Sequence, residues 1–190
     1  MRLTRGLQLV RSPQERHQLG RAESKHLPVK SPSPEEIQFY YQRLDALTEL
    51  FHDSPLTSYL EGGYVLPLHL GRFLRQHADI DVGVFQDELE SLSQFLRERG
   101  YNLFYRNYYL APLENTPYDL FEQTTIDDVL RRPVRRLYAM KVKKGGRIDE
   151  DETVLREIDL HVHLRNGDYT ITSKEGYHLP NEWFQETGLY

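Results

Sequence analysis

Two aspartates one residue apart, Asp79 and Asp81, follow the glycine pair Gly62 and Gly63 at a distance that a short helix and a turn can fill. On an extended backbone Asp79 and Asp81 share one face, while Ile80, Val82 and Val84 share the other and can be buried. Carboxylates this close repel each other unless a cation lies between them. An all-oxygen set with open positions suits Mg2+ bound together with a substrate phosphate. A glycine-rich turn entering a helix adds backbone N–H groups and the positive end of a helix dipole, which together hold an anion. Arg72 and Arg75 bring guanidinium groups of the kind that neutralise a triphosphate. Gathered in one segment, these features read as a nucleotide-handling site.

A second stretch repeats the pattern. Along Glu157 to Leu164, alternation places Glu157, Asp159, His161 and His163 on one face and Ile158, Leu160, Val162 and Leu164 on the other. If this strand lies beside the one carrying Asp79 and Asp81, three carboxylates face the same cations. Asp159 is then placed to take the proton of an attacking hydroxyl.

The identities and intervals of Gly62, Gly63, Gly71, Arg72, Arg75, His77, Asp79, Ile80 and Asp81 resemble those of the small antibiotic nucleotidyltransferases of the polymerase-beta-like superfamily, especially the aminoglycoside and lincosamide nucleotidyltransferases. The block Arg156 to His161 resembles the later family strand that carries the third active-site carboxylate, which puts that role on Asp159. The resemblance implies a nucleotidyltransferase-like mixed sheet flanked by helices, and an enzyme in which Asp79, Asp81 and Asp159 are catalytic and bind metal. It also implies that His77 orients Asp79 or approaches a phosphate, beside Gly62, Gly63, Arg72 and Arg75 as nucleotide-binding residues. The expected reaction is Mg2+-dependent transfer of a nucleoside monophosphate from a nucleoside triphosphate, most simply ATP, to a hydroxyl of a small molecule such as an antibiotic.

Two departures stand out. Tyr64 and Pro67 occupy a turn where the family commonly has a tryptophan and then an aspartate, and the chain ends at Tyr190, where the family resemblance implies further helices around the acceptor. A homodimer is one expected source of that missing wall. Two other readings stay open: a toxin-like nucleotidyltransferase acting on tRNA or protein, and a non-catalytic nucleotide-binding module.

Positioning these residues requires an alternation of helices and strands. Ser33, Pro34 and Glu36 form a capped helix start, and apolar residues recur at helical spacing from Ile37 to Phe51 before Asp53-Ser54-Pro55 breaks the pattern. The sequence then predicts a strand over Thr57 to Glu61, a helix from Tyr64 to about Leu74, and a second from about Asp87 to Arg99 stopped by Gly100. Strands follow over Tyr101 to Ala111, Arg135 to Lys144, Glu157 to Leu164 and Asp168 to Thr172, the last two joined by an Asn166-Gly167 hairpin turn. The class is α+β with a mixed sheet.

Composition sets the outer bounds. The chain has 190 residues, 38% hydrophobic and 28% charged, which fits one globular domain and excludes a wholly disordered or fibrous chain. Without cysteine there are no disulfides, thiolate metal sites or cysteine nucleophiles. No apolar run suits a bilayer span and no signal sequence opens the chain, so a cytoplasmic protein without membrane partners is expected. Residues 1–34 carry a net +5 against −5 for the whole chain, so the remainder carries −10. Residues 1–32 read as a disordered basic arm preceding a domain over 33–190, with nucleic-acid tethering as its functional reading. The acidic loop Asp149 to Glu152 reads as a solvated turn.

Overall fold

The computed structural model describes residues 30–106, 121–131, 134–173 and 176–184. The expected basic arm lies outside the described residues except for its last three positions, as does the end of the strand expected over 101–111.

Helix α1, Pro34–Phe51, starts on a complete capping box: the Glu36 N–H donates to the Ser33 hydroxyl at 3.2 Å, and the Ser33 N–H donates to the Glu36 carboxylate at 2.7 Å. Strand β1, Tyr59–Glu61, leads into a single 3-10 turn at Gly62–Tyr64 and helix α2, Val65–Leu70. Strand β2, Asp81–Phe85, is followed by helix α3, Leu89–Glu98, and strand β3, Tyr101–Arg106. Further on come β4 (Phe121–Gln123), α4 (Ile126–Arg131), β5 (Arg136–Lys141), β6 (Glu157–Asn166), β7 (Tyr169–Ile171) and β8 (His178–Pro180).

The main sheet runs β1-β2-β6-β5-β3-β4, with β2 and β6 parallel and the other neighbours antiparallel. It is the expected α+β mixed sheet with helices against it. Strand β6 extends past the sheet to Asn166, which pairs with Tyr169, so the two-residue turn into β7 is Gly167-Asp168, one position later than the expected Asn166-Gly167, with Gly167 at φ 59°, the left-handed conformation that a tight hairpin turn requires. One core fills the space between the sheet and the helices: Ile80, Val82 and Val84 from the β2 segment, Ile158, Leu160 and Val162 from β6, and Leu89, Leu92 and Leu96 from α3. The alternation expected along both chemical strands is therefore the one that folds. Among the described residues no helix is long and apolar enough to cross a membrane.

Two further expectations need correction. Helix α2 ends at Leu70 instead of continuing to about Leu74, because Gly71 takes a left-handed C-cap (φ 65°) and its N–H closes onto the Leu68 carbonyl. Arg72 and Arg75 therefore stand beyond the helix, not along it. Asp79 precedes β2 and is exposed, since regular pairing begins at Asp81. Helix α1 also fixes this approach. Buried Arg43 donates to the Ala78 carbonyl at 3.1 Å, and the Tyr40 hydroxyl accepts the His77 N–H at 3.0 Å.

Candidate active site

Parallel pairing of β2 with β6 sets Asp81 directly opposite Asp159, with Gly83 opposite His161. Side chains at i and i+2 share a face, so Asp159 and His161 come up beside Asp81. One ligand atom from each of Asp81, Asp159 and His161 lies within 4.8 Å of the other two. His161 Nε2 is 3.5 Å from Asp81 Oδ1 and 3.8 Å from Asp159 Oδ1. Asp81 and His161 line a cleft of about 790 Å3 that also takes in Gly62, Asp79 and Arg136, a volume in the range of small-molecule sites, with Asp159 buried behind the Arg136 side of its wall.

The glycine turn closes against the carboxylates. Gly62 has φ 62°, and a Cβ there would collide with Asp81 Oδ2; a Cβ on Gly63 would collide with the His77 ring. The Gly63 amide lies close enough to the Asp81 carboxylate to favour its charged form, so one amide of the expected anion cradle faces the aspartate. Burial raises the Asp81 pKa and the neighbouring Asp79 charge raises it further, despite His161 and that amide. Such a carboxylate gains from a nearby cation, and the oxygen and imidazole donors, with glycine where a side chain would fill the space, fit a divalent metal.

Asp159 is 1% exposed and is held at both oxygens by Arg136: Nε donates to Oδ1 at 2.7 Å and Nη2 donates to Oδ2. Arg136 reaches it from β5, where Tyr138 is the residue opposite Asp159. Neither Arg72 nor Arg75 lines the cleft; Arg135 and Arg136 do. His77 lies beneath the glycine turn, packed against the rings of Tyr40, Tyr64 and Phe73. Its burial and the nearby Arg75 charge lower its pKa. The acidic loop is a turn, as read: Lys143 pairs with both Asp149 and Asp151.

Glu61 is the site residue that sequence reasoning missed. It ends β1, where one carboxylate oxygen lies 2.6 Å from His161 Nδ1 and the other 2.9 Å from His163 Nε2. Burial pushes its pKa up, but the hydrogen bond with His161 and the close approach of both imidazoles outweigh that and bring it to about 2. A carboxyl depressed from 4.5 in this way contributes stability that is complete above that value and is lost as pH falls towards 2. The contribution is on the order of 3 kcal/mol. In thermal unfolding, Glu61→Gln is expected to be less stable than the parent at pH 6, with the gap closing between pH 4.5 and 2. A gap independent of pH would show that Glu61 acts through packing alone. Its only sequence signal was its place one residue before the glycine pair.

The mixed sheet thus presents Asp81 and Asp159 side by side next to a glycine turn. Residues 43–109, which hold the glycine turn, Asp79 and Asp81, match the family model described as aminoglycoside-2″-adenylyltransferase. That segment, about a third of the chain, bears out the resemblance read from its motifs. The lincomycin-bound crystal structure of the lincosamide antibiotic adenylyltransferase LnuA aligns at 16% identity with a TM-score of 0.41, over 81% of this chain and 73% of that one. No curated protein sequence matches.

Proposed function

We propose that the chain is a metal-dependent nucleotidyltransferase that moves a nucleoside monophosphate from a nucleoside triphosphate, most simply ATP, onto a hydroxyl of a small antibiotic-like molecule. The observation that carries this reading is the register of Asp81 against Asp159 beneath the glycine turn, within a chain whose first motif segment matches an adenylyltransferase family. Asp81 and Asp159, with Asp79 at the cleft mouth, would hold Mg2+, whose bound charge stabilises the oxygens of the transferring phosphoryl group.

The protein's own groups do the rest. The acceptor oxygen attacks the α-phosphorus, the bond to the bridging oxygen breaks, pyrophosphate leaves, and the hydroxyl proton passes to Asp159. That role requires Arg136 to release Asp159. A guanidinium that is 42% exposed at the cleft wall is positioned to turn from the carboxylate to a phosphate. Arg135 adjoins it on the cleft wall and would add to the phosphate neutralisation expected of Arg72 and Arg75.

The test is incubation of the full chain with each α-labelled nucleoside triphosphate, Mg2+ or Mn2+, and a panel of aminoglycosides and lincosamides. Labelled antibiotic and pyrophosphate should appear in equal amounts. Label on tRNA or protein instead would transfer the reading to a macromolecular acceptor, and no product with any acceptor would leave a nucleotide-binding module.

A further inference from the structure

Four groups form a directional chain of hydrogen-bonding contacts that ends on the paired carboxylates. The Ser173 N–H, which can only donate, points at His163 Nδ1 at 3.3 Å, so that nitrogen is the acceptor and the ring proton sits on Nε2. His163 Nε2 faces Glu61 Oε1 at 2.9 Å, close but bent from a linear hydrogen bond. Glu61 Oε2, an acceptor, lies 2.6 Å from His161 Nδ1, which therefore carries the proton. His161 Nε2 in turn lies 3.5 Å from Asp81 Oδ1 and 3.8 Å from Asp159 Oδ1. One ligand atom from each of these three side chains lies within 4.8 Å of the other two, so a single cation between them would be shared by an imidazole nitrogen and two carboxylates.

Resting on the nucleotidyltransferase reading, we propose that His161 is a nitrogen ligand of the metal, that Glu61 is the positioning residue that fixes its tautomer, and that the site accordingly prefers a transition dication such as Mn2+ over Mg2+. The carboxylate–histidine–metal arrangement orients an imidazole and raises its basicity. Imidazole favours first-row transition metals, whereas Mg2+ favours oxygen. The fold holds the parts firmly: His163 is 2% exposed and Asp159 1%. Glu61 is gripped at both oxygens. Opposite His161 on β2 stands Gly83, where any Cβ would strike the Tyr59 ring.

The experiment loads the full chain with Mn2+, alone and with a non-hydrolysable ATP analogue, and reads 14N coupling to the manganese by pulsed electron paramagnetic resonance, alongside Mn2+ and Mg2+ affinities by titration. The parent should show a directly bound imidazole nitrogen. His161→Asn should lose that coupling and at least tenfold in Mn2+ affinity, with a smaller change for Mg2+. Glu61→Gln should weaken Mn2+ about tenfold and alter the coupling, and Glu61→Asp should restore part of it. Should His161→Asn fail to fold, the parent spectrum and the Glu61 pair still decide. Bound Mn2+ without nitrogen coupling in the parent overturns the proposal but leaves the nucleotidyltransferase reading standing, with His161 as an imidazolium counter-charge. No Mn2+ or Mg2+ bound, with or without nucleotide, overturns both.

Discussion

Replacing Asp81 by Asn is expected to remove nucleotidyl transfer, by a factor of about 10^3 or more, while leaving the protein as stable as the parent or more so. Asp81 is half-buried, close to Asp79, and its pKa is raised by burial and by that neighbour. The native fold therefore bears an ionised group at a site that disfavours it. An asparagine of the same shape keeps an acceptor for the Gly63 N–H and removes the charge that would hold a cation. Steady-state turnover and thermal unfolding measured on the same preparation check it, and near-normal turnover would end the metal-dependent reading. Asp159→Asn should behave differently although the two residues face each other across the sheet. It loses activity to the same degree but also breaks a bidentate ion pair whose carboxylate is 1% exposed. Losing a fully buried pair costs about 3–5 kcal/mol; here Arg136 is 42% exposed and can return to water, so about 1–3 kcal/mol is expected. Similar stability for the two variants would show that Arg136 does not anchor Asp159.

Gly62→Ala should reduce activity about 100-fold or more and lower stability by about 1–2 kcal/mol from backbone strain alone. At φ 62° the backbone is in the left-handed region, and the added Cβ has nowhere to go except against Asp81 Oδ2. Since that oxygen belongs to the carboxylate that would bind the metal, relieving the clash means moving either the glycine turn or the ligand. Displacement by about 1 Å at a reacting centre is enough for a loss of this size. Gly71→Ala is the control, for its φ is 65° but no atom lies within 4 Å of the added Cβ. It should show the stability loss with little change in activity. Equal activity losses in both variants would mean that strain, and not the contact with Asp81, makes Gly62 necessary.

Much of this architecture was legible in the sequence because its signals are local. Ser33 and Glu36 are three residues apart and cap one helix turn, so their partnership needs no tertiary structure. Ile158, Leu160 and Val162 alternate with Asp159 and His161 because a strand has a period of two, and both faces are where alternation puts them. The hairpin was legible from Gly167, although the turn is Gly167-Asp168 and not Asn166-Gly167, because Asn166 still pairs with Tyr169. Where local signals competed, the reading failed. The helix expected from Tyr64 to about Leu74 ends at the left-handed Gly71, and Val65, Leu66, Leu68, Leu70 and Leu74 all remain exposed. Short segments such as β4, α4 and β8 carry too few residues for a periodic signal, and their existence depends on the neighbours they pair with or pack against.

The sequence by itself determined which residues could carry the chemistry: the carboxylates Asp79, Asp81 and Asp159, the glycine turn, and a polar strand face bearing His161 and His163. Tertiary structure alone decided which of them meet. Asp81 and Asp159 are 78 positions apart, and only the parallel register of β2 on β6 makes them neighbours. Arg136 holds Asp159 because β5 pairs antiparallel with β6, and Glu61 bridges two histidines 100 and more positions away because β1 lies on the edge of β2. Hydrogen bonds and ion pairs act over a few ångströms of space, whereas periodicity reports only on neighbours in the chain. Candidate ligands could thus be read in advance, while the partners that orient and neutralise them became visible only once the strands were set side by side.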